Sequence, residues 1–139
     1  MIRKFRDEDL DRVMEIWLNS NLQAHYFISR SYWISNVDVV KSMLPMAEVY
    51  VYEQNNHIEA FAGIDNGYIA GIFVSEDVRS KGIGRLLLKK CKGIYKELSL
   101  RVYEKNGRAV RFYLREGFAV KTKQTDTNTG EIEYFMTWE

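Results

Sequence analysis

The first third of the chain has the hydrophobic spacing of helices. An acidic run at 7–9 suits a helix N-terminus, and we predict a helix that begins there and frays near 19–21. The apolar residues that recur at intervals of three and four are Leu10, Val13, Ile16 and Trp17. Segment 22–44 is helical but irregular and ends at Pro45, the only proline.

The rest of the chain alternates between strand and helix signals. Period-two patterns predict strands over 2–5, 48–53, 58–64, 68–74, 98–102, 119–123 and 132–138. Helical spacing predicts a helix over 83–95 and another around 109–113; the first should bury Ile83, Leu87, Cys91 and Ile94. No linker or repeat interrupts this order. We therefore expect one α/β domain over residues 1–139, with a mixed sheet and helices on both faces.

The amino-acid composition limits the kinds of ligand and partner that the protein is expected to bind. The 139 residues are 46% hydrophobic and 28% charged, and 20 Lys+Arg against 19 Asp+Glu give no electrostatic reason to expect nucleic acid. Cys91 is the only cysteine, which excludes an intrachain disulfide and a cysteine-rich zinc site, and we expect no metal. Neither a signal peptide nor a membrane span is apparent, so we expect a cytoplasmic protein without a membrane partner.

The residues from Ile72 to Leu88 carry the strongest chemical signal. An apolar strand ends at Val74 and leads into a charged loop with Gly82 and Gly84, followed by a leucine-rich helix. Glycines let the backbone approach a ligand closely, and the first N–H groups of a helix lack acceptors within it. The loop is therefore predicted to bind a phosphate, helped by the basic side chains of Arg79, Lys81 and Arg85.

Two common phosphate loops do not fit this segment. The dinucleotide fingerprint requires a small third residue where Leu87 stands. The P-loop requires a lysine followed by a hydroxyl residue, and this loop has no such pair.

Arg79-x-x-Gly82-x-Gly84, after an apolar strand, instead resembles the acyl-CoA pyrophosphate loop of the GNAT superfamily of N-acetyltransferases. Residues 106–118 are similar to a second family element, N-x-x-A-x-x-F-Y-x-x-x-G-F. With the order of elements, the resemblance covers essentially the whole chain. The stretches AHYF near residue 25 and YIAGIFV at 68–74 resemble the subgroup typified by the bacterial YjaB-type acetyltransferases.

The resemblance implies a GNAT-like fold, whose mostly antiparallel sheet is splayed at the acyl-CoA site. It also implies transfer of an acetyl group from acetyl-CoA to a primary amine, by direct attack in a ternary complex. Asn106 would bond the CoA arm, cap a helix, or do both. The other residues expected at acetyl-CoA are the strand backbone of Ile72, Phe73 and Val74 and the loop residues Arg79, Ser80, Lys81, Gly82, Ile83, Gly84 and Arg85.

The family context also suggests catalytic residues. Tyr113 would be the general acid that protonates the leaving thiolate; the alternative is a core tyrosine bonded to a backbone carbonyl. His25 is the candidate base by its ordinary pKa and position; the alternative is a packed or substrate-lining histidine. Tyr26 and Phe27 would line the acceptor site.

Other functions remain open at this point. The chain could be an acyl-CoA-binding module without transfer activity, or an interaction domain whose glycine loop only caps a helix. The acceptor is a small-molecule or peptide amine that the sequence does not identify, and the protein is expected to be a monomer or a homodimer.

Overall fold

The computed structural model describes all 139 residues and follows the predicted order of elements. The strands are β1 (Ile2–Lys4), β2 (Glu48–Gln54), β3 (His57–Asp65), β4 (Tyr68–Val74), β5 (Leu98–Tyr103), β6 (Ala119–Thr125) and β7 (Ile132–Trp138). The helices are α1 (Leu10–Ala24), α2 (Arg30–Ser35), α3 (Val37–Met43), α4 (Ile83–Ile94) and α5 (Gly107–Arg115). No helix combines the length and the apolar character needed to cross a membrane.

The strands form one seven-stranded sheet in the order β1-β2-β3-β4-β5-β7-β6. Every neighbouring pair is antiparallel except β4 and β5, which are parallel. β4 and β5 pair only where Tyr68 meets Ser99 and Ile69 meets Leu100, and they separate beyond those positions. The predicted mixed sheet, splayed between its central strands, is confirmed.

Helices cover both faces of the sheet because alternate strand residues point to opposite sides. On one face α4 and α5 pack over a core that includes Leu87, Ile69 and Leu100. On the other face α1, α2 and α3 cover a second core, where Ile16 lies near Phe61.

Two expectations about the helices were wrong. α1 continues to Ala24 instead of fraying near 19–21, because the buried Asn21 satisfies its amide within the helix by donating from Nδ2 to the Trp17 carbonyl at 2.9 Å. In α4 the buried stripe includes Leu88 rather than Ile94, which is 42% exposed. Ile94 is the last residue of the helix and lies outside the stripe that faces the sheet.

Candidate active site

The gap between β4 and β5 is the centre of the candidate site. On its other edge, β4 pairs with β3 in an irregular register: Gly63 faces Gly71 and Ile64 faces Ile69. Ala70 therefore lies in a bulge and has no partner on β3. The strand bends where it leaves β5, at the place where the resemblance expects the thioester.

Part of the β4 backbone is free to bond a ligand in this gap. The Ser75 N–H donates to the Glu59 carbonyl at 2.8 Å. This bond identifies which of the facing residue pairs of β3 and β4 are hydrogen-bonded pairs. Because bonding groups alternate in an antiparallel ladder, Phe73 directs its N–H and C=O toward β3, whereas Ile72 and Val74 direct theirs into the gap. An extended chain placed there would find donors and acceptors as an added strand does.

The glycine loop presents unsatisfied N–H groups at the start of α4. The first helical bond runs from the Leu86 N–H to the Gly82 carbonyl at 3.1 Å, so the N–H groups of residues 83–85 have no acceptor in the protein. Gly82 adopts a φ of +79°, and nothing lies within 4 Å of a Cβ built on it. The loop is thus an open cradle of donors at the positive end of a helix dipole, which suits a phosphate.

Polar side chains tie this loop to α1 and α5. Arg79 donates to the Gln23 Oε1 at 3.0 Å, and the Arg108 guanidinium donates to the Ser80 hydroxyl at 3.1 Å. Neither Gln23 nor Arg108 was predicted from the sequence as a site residue. One feature of the sequence could have indicated Arg108. It lies in the first turn of a helix, where a cation is unfavourable next to the helix dipole unless an anion binds nearby.

Asn106 caps α5, as one of its two predicted roles required. Its Oδ1 accepts the Ala109 N–H at 3.3 Å. Its Nδ2 lies 3.2 Å from the Nε2 of His25, so the amide also joins the end of α1 to the start of α5.

His25 is enclosed by aromatic rings. Trp33 stacks on the imidazole at 5.1 Å, while Tyr103 and Phe27 meet it edge-on at 5.1 and 5.7 Å. Burial lowers the pKa of His25 to about 4, so the ring is neutral at pH 7. Its Nε2 is engaged with Asn106, and its Nδ1 is buried without a partner. The base role suggested by the sequence has no support in this geometry, because neither nitrogen is open to an acceptor amine.

Tyr113 lies in α5 with its ring between those of Phe112 and Phe118, at centroid distances of 5.1 and 5.4 Å. The residue is 8% exposed, and its hydroxyl makes no hydrogen bond to the protein. The alternative of a tyrosine bonded to a backbone carbonyl is therefore not what the structure shows. Burial raises the pKa of this phenol, so it carries its proton at neutral pH.

The opposite side of the gap is lined by aromatic and acidic residues. Tyr103 donates to the Asp126 Oδ2 at 2.6 Å. Burial raises the pKa of Tyr32, and the Asp126 and Glu133 carboxylates add to this effect. Glu133 faces Tyr103 in the register of β5 and β7. Tyr32, Asp126 and Glu133, which come from α2 and the β6–β7 hairpin, were not predicted from the sequence as site residues.

The two residues predicted to line the acceptor site differ in their surroundings. Tyr26 is 80% exposed and meets the Phe27 ring edge-on at 5.4 Å. Phe27 lies deeper, beside His25 and Tyr103, with the Lys105 ammonium 5.7 Å from its ring centre.

Comparison with known proteins agrees with this geometry. The model of the acetyltransferase (GNAT) domain matches residues 45–120. The peptidyl-lysine N-acetyltransferase YiaC of Escherichia coli K12 is 30% identical over 140 residues, covering 99% of this chain and 96% of that protein. The solution structure of apo YjaB from Escherichia coli has a TM-score of 0.88 at 28% identity, covering 99% of this chain and 96% of that one. The PaiA N-acetyltransferase of Thermoplasma acidophilum, solved with coenzyme A, has a TM-score of 0.85 at 22% identity, covering 100% and 98%.

Proposed function

Because this chain belongs to the GNAT family and is an acetyl-CoA-dependent N-acetyltransferase, we propose that its acceptor is the side-chain amine of a lysine in a protein or peptide. One observation carries the proposal. YiaC and the Escherichia coli YjaB are both named peptidyl-lysine N-acetyltransferases, each is 30% identical to this chain, and the matches cover 99% and 94% of it.

The donor half of the site fits acetyl-CoA. The pyrophosphate would accept from the N–H groups of residues 83–85, and the pantetheine arm would pair with the free backbone of Ile72 and Val74. Phe73 would contribute only its side chain, since its backbone bonds β3. The other residues proposed to contact the donor are Arg79, Ser80, Lys81, Gly82, Gly84, Asn106 and, from the structure, Arg108.

The acceptor half fits a cationic side chain. Asp126 and Glu133 would attract a lysine ammonium toward the gap, and Tyr32 and Phe27 would pack against its methylene groups. The exposed Tyr26 would contact the rest of the peptide. Neither nitrogen of His25 is open to the acceptor amine, so we propose that water removes the ammonium proton. At pH 7 that costs roughly 4 to 5 kcal/mol for an amine with a pKa of about 10.4.

The reaction that these groups support is direct transfer. The neutral amine nitrogen attacks the thioester carbonyl carbon, and N–H groups of the splayed β4 strand stabilise the oxyanion. The carbon–sulfur bond then breaks, the Tyr113 hydroxyl gives its proton to the departing thiolate, and the proton that the attacking nitrogen sheds returns through water to Tyr113. Tyr113 suits this role because it is protonated and its hydroxyl has no other partner.

A panel of acceptors tests the proposal. The protein is incubated with acetyl-CoA and a lysine peptide blocked at its N-terminus, the same peptide with arginine at the lysine, an unblocked peptide without lysine, a polyamine and an aminoglycoside. Mass spectrometry and CoA release measure transfer. We expect acetylation of the blocked lysine peptide and none of its arginine counterpart. Transfer confined to α-amines or to the small amines would contradict a lysine acceptor.

A further inference from the structure

We propose that His25 is a positioning residue for acetyl transfer: it accepts a hydrogen bond from Asn106 and thereby aims the second N–H of that amide at the bound acyl-CoA arm. The inference rests on the proposed acetyl-CoA site. It replaces the base role suggested by the sequence, and it concerns donor binding rather than proton removal.

The orientation of the Asn106 amide is fixed from within α5. The Ala109 N–H donates to the side chain at 3.3 Å, and only the oxygen end of an amide accepts. The nitrogen end is then the atom that lies 3.2 Å from His25. The Asn106 backbone is held at both ends as well, because its N–H donates to the Tyr103 carbonyl and its carbonyl accepts from Val110.

This orientation decides the tautomer of His25. The amide nitrogen is a donor, so the Nε2 of His25 is the acceptor, and the proton of the neutral ring lies on Nδ1. Nδ1 is buried and unpartnered, which costs free energy. A phenylalanine would fill the same aromatic enclosure without burying an unmet N–H. We therefore attribute the histidine at this position to the hydrogen bond that its Nε2 accepts from Asn106.

The amide keeps one donor for a ligand. An asparagine amide has two N–H groups, and His25 takes only one of them. The other makes no bond in the protein. Because the oxygen and one N–H are both committed, the amide plane cannot rotate, and the remaining N–H has a fixed direction.

The bond between Asn106 and His25 also joins helices from the two faces of the sheet. His25 terminates α1, where its N–H donates to the Asn21 carbonyl at 3.0 Å, and α1 covers the sheet face opposite to that of α5. α5 carries Tyr113 farther along the same helix. One hydrogen bond between residues 81 positions apart thus joins the acceptor side to the helix that bears the proposed acid.

Two substitutions at His25 separate positioning from base catalysis. His25→Gln places an amide oxygen near the position of Nε2 and keeps the acceptor. His25→Phe keeps the ring and removes the acceptor. Each variant is measured for CoA affinity by calorimetry, for the KM of acetyl-CoA and of the lysine peptide, for kcat, and for melting temperature.

We expect His25→Phe to raise the Kd for CoA and the KM for acetyl-CoA by about tenfold, with kcat changed by less than about threefold. His25→Gln should stay within about threefold of wild type in every parameter. Asn106→Ser keeps a helix cap and removes the amide N–H groups, so it should match His25→Phe. Combining Asn106→Ser with His25→Phe should add nothing further.

The inference is overturned if His25→Gln loses kcat as His25→Phe does, which is the result for a base. It is also overturned if His25→Phe binds CoA with wild-type affinity, or if only the KM of the peptide rises. CoA binding is measured without an acceptor, so the effect of His25→Phe on CoA affinity can be determined even if the lysine peptide is not a substrate. Failure on the peptide panel with normal CoA binding therefore counts against the lysine acceptor and not against His25.

Discussion

The α carbon of Gly84 faces the ring of Phe112 across the start of α4. A Cβ built on Gly84 would lie 3.7 Å from the Phe112 Cζ and 3.7 Å from the Val74 Cγ2, which are ordinary contact distances. The protein itself therefore has room for an alanine here, although alanine is the better helix residue. We propose that the pyrophosphate of acetyl-CoA approaches this backbone and takes the space that an alanine Cβ would fill.

We predict that Gly84→Ala folds at least as well as wild type but binds CoA more weakly, and that Gly84→Leu weakens binding further. Stability should rise by up to about 1 kcal/mol for the alanine because of its helix propensity. Calorimetry with CoA and thermal unfolding measure the two effects. Gly93→Ala is the matched control, because Gly93 lies in the same helix with nothing within 4 Å of an added Cβ. It should give a similar stability change with unchanged CoA affinity.

Arg79 should contribute a full positive charge to the loop. It makes no salt bridge, and its guanidinium donates only to the neutral amide of Gln23. We predict that Arg79→Gln raises the Kd for CoA about tenfold and makes the Kd less dependent on salt, because one phosphate-directed cation is lost. Lys121→Gln removes the same charge from the exposed edge strand β6 and should change neither quantity. Equal effects of the two substitutions would show that only net charge matters.

The sequence predicted local structure where one rule dominated. The period-two pattern gave β4 and β7 with the boundaries that the structure has, and the Asn106 cap followed from its place before α5. Contacts between segments that are distant in the sequence could not be predicted. Nothing in the local pattern near His25 indicates Asn106, and the Ala70 bulge depends on the register with β3, which spacing along one strand does not determine.

The same limit applies to the role predicted for His25. Its ordinary pKa made it a natural base, but in the fold the rings of Trp33, Tyr103 and Phe27 pack around it, and Tyr103 comes from the distant strand β5. Burial of that kind is a tertiary property, and it determines the pKa.

The pH dependence of stability should reveal the buried neutral His25. Its pKa is lowered from 6.5 to about 4 in the folded protein, so between those values the unfolded chain binds a proton that the folded one does not. The free energy of unfolding should therefore fall as the pH falls from about 6.5 to about 4, by up to about 3 kcal/mol, and this contribution should level off below pH 4.

Urea unfolding from pH 7.5 to pH 5 measures this effect. His25→Gln should remove the His25 contribution and flatten the curve. His57→Gln, which changes the exposed second histidine at the start of β3, should leave the curve as in wild type. If wild type and His25→Gln show the same slope, His25 does not titrate abnormally.

A substitution at Tyr113 should change the rate of acetyl transfer without changing the stability of the fold. Its hydroxyl has no protein partner, so Tyr113→Phe removes no hydrogen bond and keeps the ring contacts with Phe112 and Phe118. Tyr95→Phe is the contrasting control, because the Tyr95 hydroxyl donates to Glu48 far from the gap. The control should lose stability and keep its catalytic rate.

For Tyr113→Phe we predict unchanged stability and CoA affinity, while kcat falls about 10²-fold or more, the range typical of general acid catalysis. Single-turnover kinetics with the lysine peptide measure the chemical step directly. An acetyl thioester whose thiol has a lower pKa should restore part of the rate, because that thiolate leaves without a proton. A loss of rate that is the same with both thioesters would assign Tyr113 to positioning, and a normal rate would leave proton delivery to water. Only an acid that acts on the leaving sulfur makes the loss depend on the pKa of the thiol.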